Sequence, residues 1–170
     1  MNQLKKYLVK YCPALLLIGL IVLCPLKLIL VQGISMSPTF SNNQILLALK
    51  VNSDTKLHKD DIVVILFESQ YIIKRIKFME NDNIYYHYDL NNNSLKFISK
   101  DEFIKLASTK KEFPSHDLIS RISVMHDQFY LLGDNRNFSD DSRRFGLIDK
   151  NNILYKIIYP LSKDPNNGKK

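Results

Sequence analysis

The sequence predicts a mostly β domain of antiparallel strands, set behind one apolar N-terminal helix. Three observations carry this. From Gln44 to Tyr159, short apolar or alternating runs recur that are rich in Ile, Val, Tyr and Phe. Asn, Asp, Gly and Pro cluster between them, and these are the residues of turns. One nearly unbroken apolar stretch, Pro13 to Val31, precedes them all. Many short strands with few helices favour antiparallel sheets. No internal repeat is present.

The apolar stretch comes first. Its nineteen residues, Pro13 to Val31, span about 28 Å as a helix, close to the ~30 Å of a bilayer's hydrocarbon. Lys27 is its one charge and lies near the end, where its ammonium can snorkel to the interface. Pro25 is expected to kink the helix or end it early. A cleaved leader needs small residues after the apolar core. Cys24-Pro25-Leu26-Lys27-Leu28 supplies none, so an uncleaved anchor is expected. Lys5, Lys6 and Lys10 before it put residues 1–12 in the cytoplasm and the following domain outside.

Strand signals follow. Gln44–Val51 is mostly apolar, and Ile62–Phe67 is a β-branched run after Asp60-Asp61. Tyr71–Phe78 alternates. Asn83–Tyr88 and Lys96–Ser99 flank Asn91-Asn92-Asn93 and read as a hairpin. Asp101–Ser108 reads as one short helix, and Ser108–Asp117, with Pro114, as a surface loop. Gln128–Leu132 is a strand running into Gly133-Asp134-Asn135, and Leu154–Tyr159 is the last strand. The expected organisation is therefore an anchor over 13–31, a β domain over 32–160 and a flexible tail over 161–170.

Composition narrows the function. The 170 residues carry a net charge of +7, with lysines before the anchor and at Lys163, Lys169 and Lys170. Basic flanks suit an anionic lipid surface, and no nucleic-acid-binding motif accompanies them. Both cysteines, Cys12 and Cys24, lie in or beside the apolar stretch. The domain therefore has no disulfide, no thiol nucleophile and no cysteine for zinc. No metal or cofactor motif is seen.

Three stretches carry chemistry. Gly33-Ile34-Ser35-Met36-Ser37-Pro38-Thr39 begins two residues after Val31. At about 3.3–3.6 Å per residue, Ser35 lies within roughly 14 Å of the anchor's end, as a nucleophile held at a lipid surface would. Ser-Pro-Thr is equally ordinary turn chemistry. In Tyr71–Phe78, alternation puts Ile72, Lys74, Ile76 and Phe78 on one face, with Arg75 and Lys77 on the other. Lys74 thus points inward among apolar residues. Burial lowers a lysine pKa, and a neutral amine is a competent base for a serine hydroxyl. A snorkelling head or a one-residue bulge would undo this. The third stretch, Gly133 to Gly146, is dense in short polar residues that fix tight loops. Asp141 and Arg143 can pair there, and Ser139 can bond the lysine amine. A calcium loop fits poorly, because the EF-hand spacing and its distal Glu are absent.

Taken together, Ser35-Met36-x-Pro38-Thr39, Asp61-Ile62-Val63, Ile73-Lys74-Arg75-Ile76, and Gly133-Asp134-Asn135-Arg136 with Ser139-x-Asp141-Ser142-Arg143 resemble the type I signal peptidase family, in its order and at comparable spacing. The resemblance implies a mostly β domain of coiled antiparallel sheets and a membrane-bound serine endopeptidase that removes signal peptides from exported preproteins after small, A-x-A-type residues. It implies Ser35 as nucleophile, Lys74 as general base, and Ser139 as the hydroxyl that positions the lysine. Asp141 and Arg143 match the structural ion pair, Asp134 the acidic residue of the same loop, and Met36 a pocket residue. The implied substrate is an extended segment added as a strand beside Val31–Ile34 and the lysine strand, against Gly33, Ile34, Met36 and Ile73. The implied partners are preprotein signal peptides and membrane lipid, without nucleic acid, cofactor or metal. The implied location is the cell membrane, single-pass, with the catalytic domain outside.

The sequence departs from the family pattern in places. Some members carry a serine, two positions before the nucleophile, that helps bind the oxyanion; here Gly33 stands, leaving backbone N–H groups, including that of Ser35. The glycine-aspartate turn after the lysine strand is replaced by Phe78-Met79-Glu80-Asn81, and the Gly before Asp61 by Asp60. Other readings are a mitochondrial inner-membrane-type presequence peptidase of the same family and a catalytically silent, membrane-anchored β scaffold. A Ser-His-Asp hydrolase would need Ser35 with His58, His87, His116 or His126, none of which sits in a recognisable motif. The S-x-x-K of transpeptidase-like enzymes is absent at Ser35.

Overall fold

The structure is a computed structural model and describes residues 10–11, 25–108 and 117–160. Ten strands and a few short helices make it up. The strands are β1 (Leu26–Leu30), β2 (Ile45–Lys50), β3 (Ile62–Phe67), β4 (Gln70–Phe78), β5 (Asn83–Asp89), β6 (Ser94–Ile98), β7 (Asp117–Ser123), β8 (Gln128–Leu132), β9 (Ile148–Asp149) and β10 (Ile153–Pro160). Every strand pair is antiparallel. Seven strands form one sheet in the order β1-β2-β10-β3-β4-β8-β9, and three form another in the order β6-β5-β7. The mostly β, antiparallel expectation therefore holds.

The end of the expected anchor does not. Residues 13–24 lie outside the described residues, but Leu26–Leu30 is strand rather than helix. It pairs with β2 from Leu26↔Leu49 to Leu30↔Ile45. The physical reason is Pro25. A proline inside a helix removes one hydrogen bond and clashes with the preceding turn. Here its carbonyl instead accepts from Lys50 N at 2.8 Å, which starts the ladder. Among the described residues no helix is long and apolar enough to cross a membrane. Lys27 accordingly sits on a strand, 5.3 Å above the Tyr155 ring.

Turn chemistry explains two of the sequence's departures. Asp60 takes φ +68° and Asn81 takes φ +71°, a left-handed region that Asp and Asn tolerate better than other side-chain-bearing residues. Between β3 and β4, Glu68 and Ser69 both have positive φ, the geometry of a two-residue hairpin turn whose twist matches its strands.

Three apolar clusters fill the molecule. Val63, Ile65, Ile76, Phe129 and Leu131 lead the first, and Ile72 packs against it. Val31, Met36, Phe40 and Leu46 form the second, with Ile73 against it. Ile84, Val124, Tyr130 and Leu132 join the two sheets in the third. The stretch from Val31 to Phe40 is thus held by Val31, Met36 and Phe40, with Ser35 carried between them.

Candidate active site

The site forms where the Gly33–Thr39 turn, β4 and the Gly133–Phe145 loop meet. Ser37 N donates to Ile34 O at 3.0 Å, and Phe40 N donates to Met36 O at 2.9 Å, closing the turn on itself. Gly33 begins it at φ +92°, a conformation that favours glycine. Gly33 N donates to Asn42 Oδ1 at 2.9 Å.

Lys74 lies across the turn on β4 and is 3% exposed. Its Nζ donates to Ser35 Oγ at 3.1 Å. Burial drives the amine below the ordinary lysine range, partly opposed by the Asp141 and Asp140 carboxylates. The inward face read from alternation is therefore the observed one, and Ile76 beside it is fully buried. The register between β4 and β8 shifts between Ile76 and Phe78. That bulge falls after Lys74 and leaves its facing intact.

The loop after β8 braces both partners. Asp141 is buried and takes Arg143 in a two-pronged pair, Nε to Oδ1 at 2.8 Å and Nη2 to Oδ2 at 2.9 Å. It also accepts from Gly133 N at 3.0 Å. Burial alone would push its carboxyl up, but the Arg143 guanidinium and the Gly133 and Arg143 N–H groups outweigh it and leave it lowered. Ser142 Oγ accepts from Leu131 N at 2.9 Å. Asp134 takes Arg75 in a second two-pronged pair at 2.8 and 2.6 Å and accepts from Thr39 Oγ1 at 2.5 Å. Its carboxyl is raised by burial and lowered further by Arg75 and Thr39, with a net lowering. Arg75, next to Lys74, thereby ties β4 to both the loop and the Gly33–Thr39 turn.

Other expected positions fall as follows. Ser139 Oγ is buried but has no hydrogen-bond partner among the described residues, so the expected bond to the Lys74 amine is not made. The hydroxyl instead packs into the space left by Gly133, where an added Cβ would meet it at 2.0 Å and Ser35 O at 2.8 Å. A groove of about 340 Å³ opens beside Ser35 and Lys74, and Gly33, Met36 and Ile73 line it. Ile34 does not. Its side chain is 51% exposed, because the turn points its carbonyl, rather than its side chain, at the loop. Val64 and Tyr155 lie between the groove's walls, which are β1 with Val31–Gly33 on one side and Tyr71–Lys74 on the other. His58, His87 and His126 do not line it, and His116 lies outside the described residues. Among the described residues no cluster of His, Cys, Asp and Glu could hold a metal.

Sequence reasoning missed several contributors. In the sequence Arg75 stands only in the lysine strand's motif, on the face opposite Lys74, and its carboxylate lies 59 residues away. Thr39, Gly133 and Asn135 stood inside motifs without a role. Asn42 carried no signal at all.

A serine hydroxyl against a buried amine, in a groove flanked by strand edges, defines a serine hydrolase arrangement on an antiparallel β domain. The chain belongs to the signal peptidase, peptidase S26 family, serine endopeptidases that it matches over residues 4–161. It is 31% identical over 134 residues to "Signal peptidase I V" of Bacillus subtilis (strain 168), covering 73% of this chain and 79% of that protein. It is also 31% identical over 150 residues to "Signal peptidase I P" of Bacillus subtilis subsp. natto, covering 79% and 77%. A crystal structure of a signal peptidase I from Enterococcus faecalis V583 aligns at a TM-score of 0.39 and 24% identity, over 63% of this chain and 100% of that one.

Proposed function

We propose that this chain removes N-terminal signal peptides from preproteins at a membrane surface, with Ser35 as nucleophile and Lys74 as general base. The observation that carries the reading is the 3.1 Å contact between Lys74 Nζ and Ser35 Oγ, made by a lysine that is 3% exposed. When the amine is neutral, its lone pair accepts the hydroxyl proton as Oγ attacks the scissile carbonyl. The developing oxyanion is met by backbone N–H groups, that of Ser35 first, a donor typically worth about 2.7–4 kcal/mol. The protonated lysine passes its proton to the leaving amine. A water deprotonated by Lys74 then opens the acyl-enzyme and frees Ser35.

The substrate enters as an extended strand between β1 with Val31–Gly33 and the start of β4. Shallow walls at Gly33, Met36 and Ile73 suit the small side chains of an A-x-A segment. The membrane anchor ends before Pro25 and takes part of its length from the residues preceding Pro13, and it delivers the groove to the lipid face from which a cleavage site emerges. The domain stands on the extracytoplasmic side, with the N-terminus in the cytoplasm.

The test uses the full chain in detergent with a preprotein bearing an A-x-A site. Ser35→Ala and Lys74→Ala are each expected to lower processing at least about a thousand-fold while leaving the circular dichroism spectrum unchanged. Retained cleavage in either folded variant removes the dyad.

A further inference from the structure

We infer that Asn135 is a positioning residue for the oxyanion donor, acting through the peptide bond between Ile34 and Ser35. The inference rests on the reading of Ser35 as nucleophile.

Asn135 grips the nucleophile's backbone twice. Its own N–H donates to Ser35 O at 2.9 Å. Its side chain Nδ2 donates to Ile34 O at 3.2 Å. Ser37 N donates to the same Ile34 oxygen at 3.0 Å. Ile34 C=O and Ser35 N–H belong to one planar trans peptide, so they point in opposite directions. Two donors holding the carbonyl on the Asn135 side therefore fix the N–H on the other side. That N–H has no acceptor among the described residues, and its half-buried residue lines the groove. It is the free donor that an oxyanion needs, and its direction is set before substrate arrives.

The bonds to the carbonyl do a second job. A peptide oxygen that accepts hydrogen bonds polarises its own N–H, and linked hydrogen bonds strengthen one another in a low-dielectric setting. This matters more here than in relatives that bring a serine to position 33. Gly33 offers no hydroxyl, and its own N–H is already given to Asn42 Oδ1. The hole thus leans on the Ser35 N–H, and the aim of that group rests on Asn135.

The experiment compares the wild-type chain with Asn135→Ala and Asn135→Asp, each removing the Nδ2 donor while keeping the backbone N–H to Ser35 O. Three quantities are measured in detergent. They are kcat and KM for an A-x-A peptide, the affinity for the matching peptide aldehyde, whose hemiacetal with Ser35 carries the oxyanion, and the affinity for an uncleavable peptide with proline after the cut. Both variants are expected to lose about ten-fold in kcat with KM within two-fold. Aldehyde affinity should fall by the same factor, and the uncleavable peptide should bind unchanged. Two results overturn the inference: kcat within two-fold of wild type in a folded variant, or equal losses for aldehyde and uncleavable peptide. If Ser35→Ala keeps its activity, the nucleophile assignment fails instead. The two failures are therefore distinguishable.

Discussion

Lys74 is a residue whose proposed function works against its fold. Burial holds its amine below the ordinary 10.5, while the unfolded chain keeps a lysine of ordinary value. Between those two values the unfolded chain binds more protons, so stability rises with pH across that window. Below the folded value both states are charged, and the folded state bears the whole cost of the buried ammonium. With Lys74 as the proposed base, the same lowering is expected to make activity rise with pH below the range of a free lysine. Lys74→Met fills similar space without charge. It is expected to abolish processing yet raise the thermal unfolding midpoint at pH 7 by about 3 °C, on a scale of roughly 2–4 °C per kcal/mol for a chain of this size. Its stability should also lose the upward slope with pH. A variant that melts below wild type at pH 7 would show that the amine is held by compensating bonds rather than tolerated.

At the scale of elements, the loop from Gly133 to Phe145 decides where Ser35 sits. Gly133 is the point of closest approach, since a Cβ there would meet Ser139 Oγ at 2.0 Å and Ser35 O at 2.8 Å. The Ser139 hydroxyl can rotate away, but Ser139 Cβ at 2.4 Å and the Ser35 backbone cannot give way without moving the loop or Ser35 itself. Gly133→Ala is therefore expected to cut kcat at least a hundred-fold, in keeping with about a 1 Å misplacement of a reacting group. Asp141→Ala leaves Arg143 and the Gly133 N–H without their partner and should cost about 3 kcal/mol in urea unfolding. Because the folded Asp141 carboxyl is lowered from 3.8, its contribution is full above the unfolded value and fades as pH falls through the folded one. The strands that carry this machinery were largely legible. β3 and β8 match the runs Ile62–Phe67 and Gln128–Leu132, because continuous apolar runs bounded by turn residues have few other uses. The inward facing of Lys74 was legible from period-two alternation alone. β1 was not, because Leu26–Leu30 is as apolar as a helix end and only its pairing with β2 distinguishes the two. β7 was missed although Asp117–Ser123 alternates, since its partner β5 lies far back in the chain. The ties from Asp134 to Arg75 and from Asn135 to Ser35 were hidden for the same reason. Hydrogen bonds across 59 and 100 residues leave no periodic trace.

At the scale of the whole molecule, the sheet leaves a gap between two strand edges. β1 ends the seven-strand order, so its outer edge is unpaired among the described residues. Among the described residues β4 pairs with β8 only through Arg75, Ile76 and Phe78, so the outer edge of Gln70–Lys74 is likewise unpaired there. Both line the same groove. Open edges are templates for another strand, and a peptide placed here gains a neighbour on each side. Successive N–H groups of a strand point alternately left and right. A substrate paired on both sides therefore uses every N–H, whereas one paired on a single edge uses every second. Single N-methylation at each of the four residues before the cut separates the cases. Two-sided pairing predicts that each methyl raises KM about three- to ten-fold, the worth of one backbone hydrogen bond at roughly 0.5–1.5 kcal/mol. A strict alternation of sensitive and silent positions would mean that only one edge receives the peptide. The other wall would then serve side chains alone, and the proposed small-residue preference would have to be set by that wall's shape.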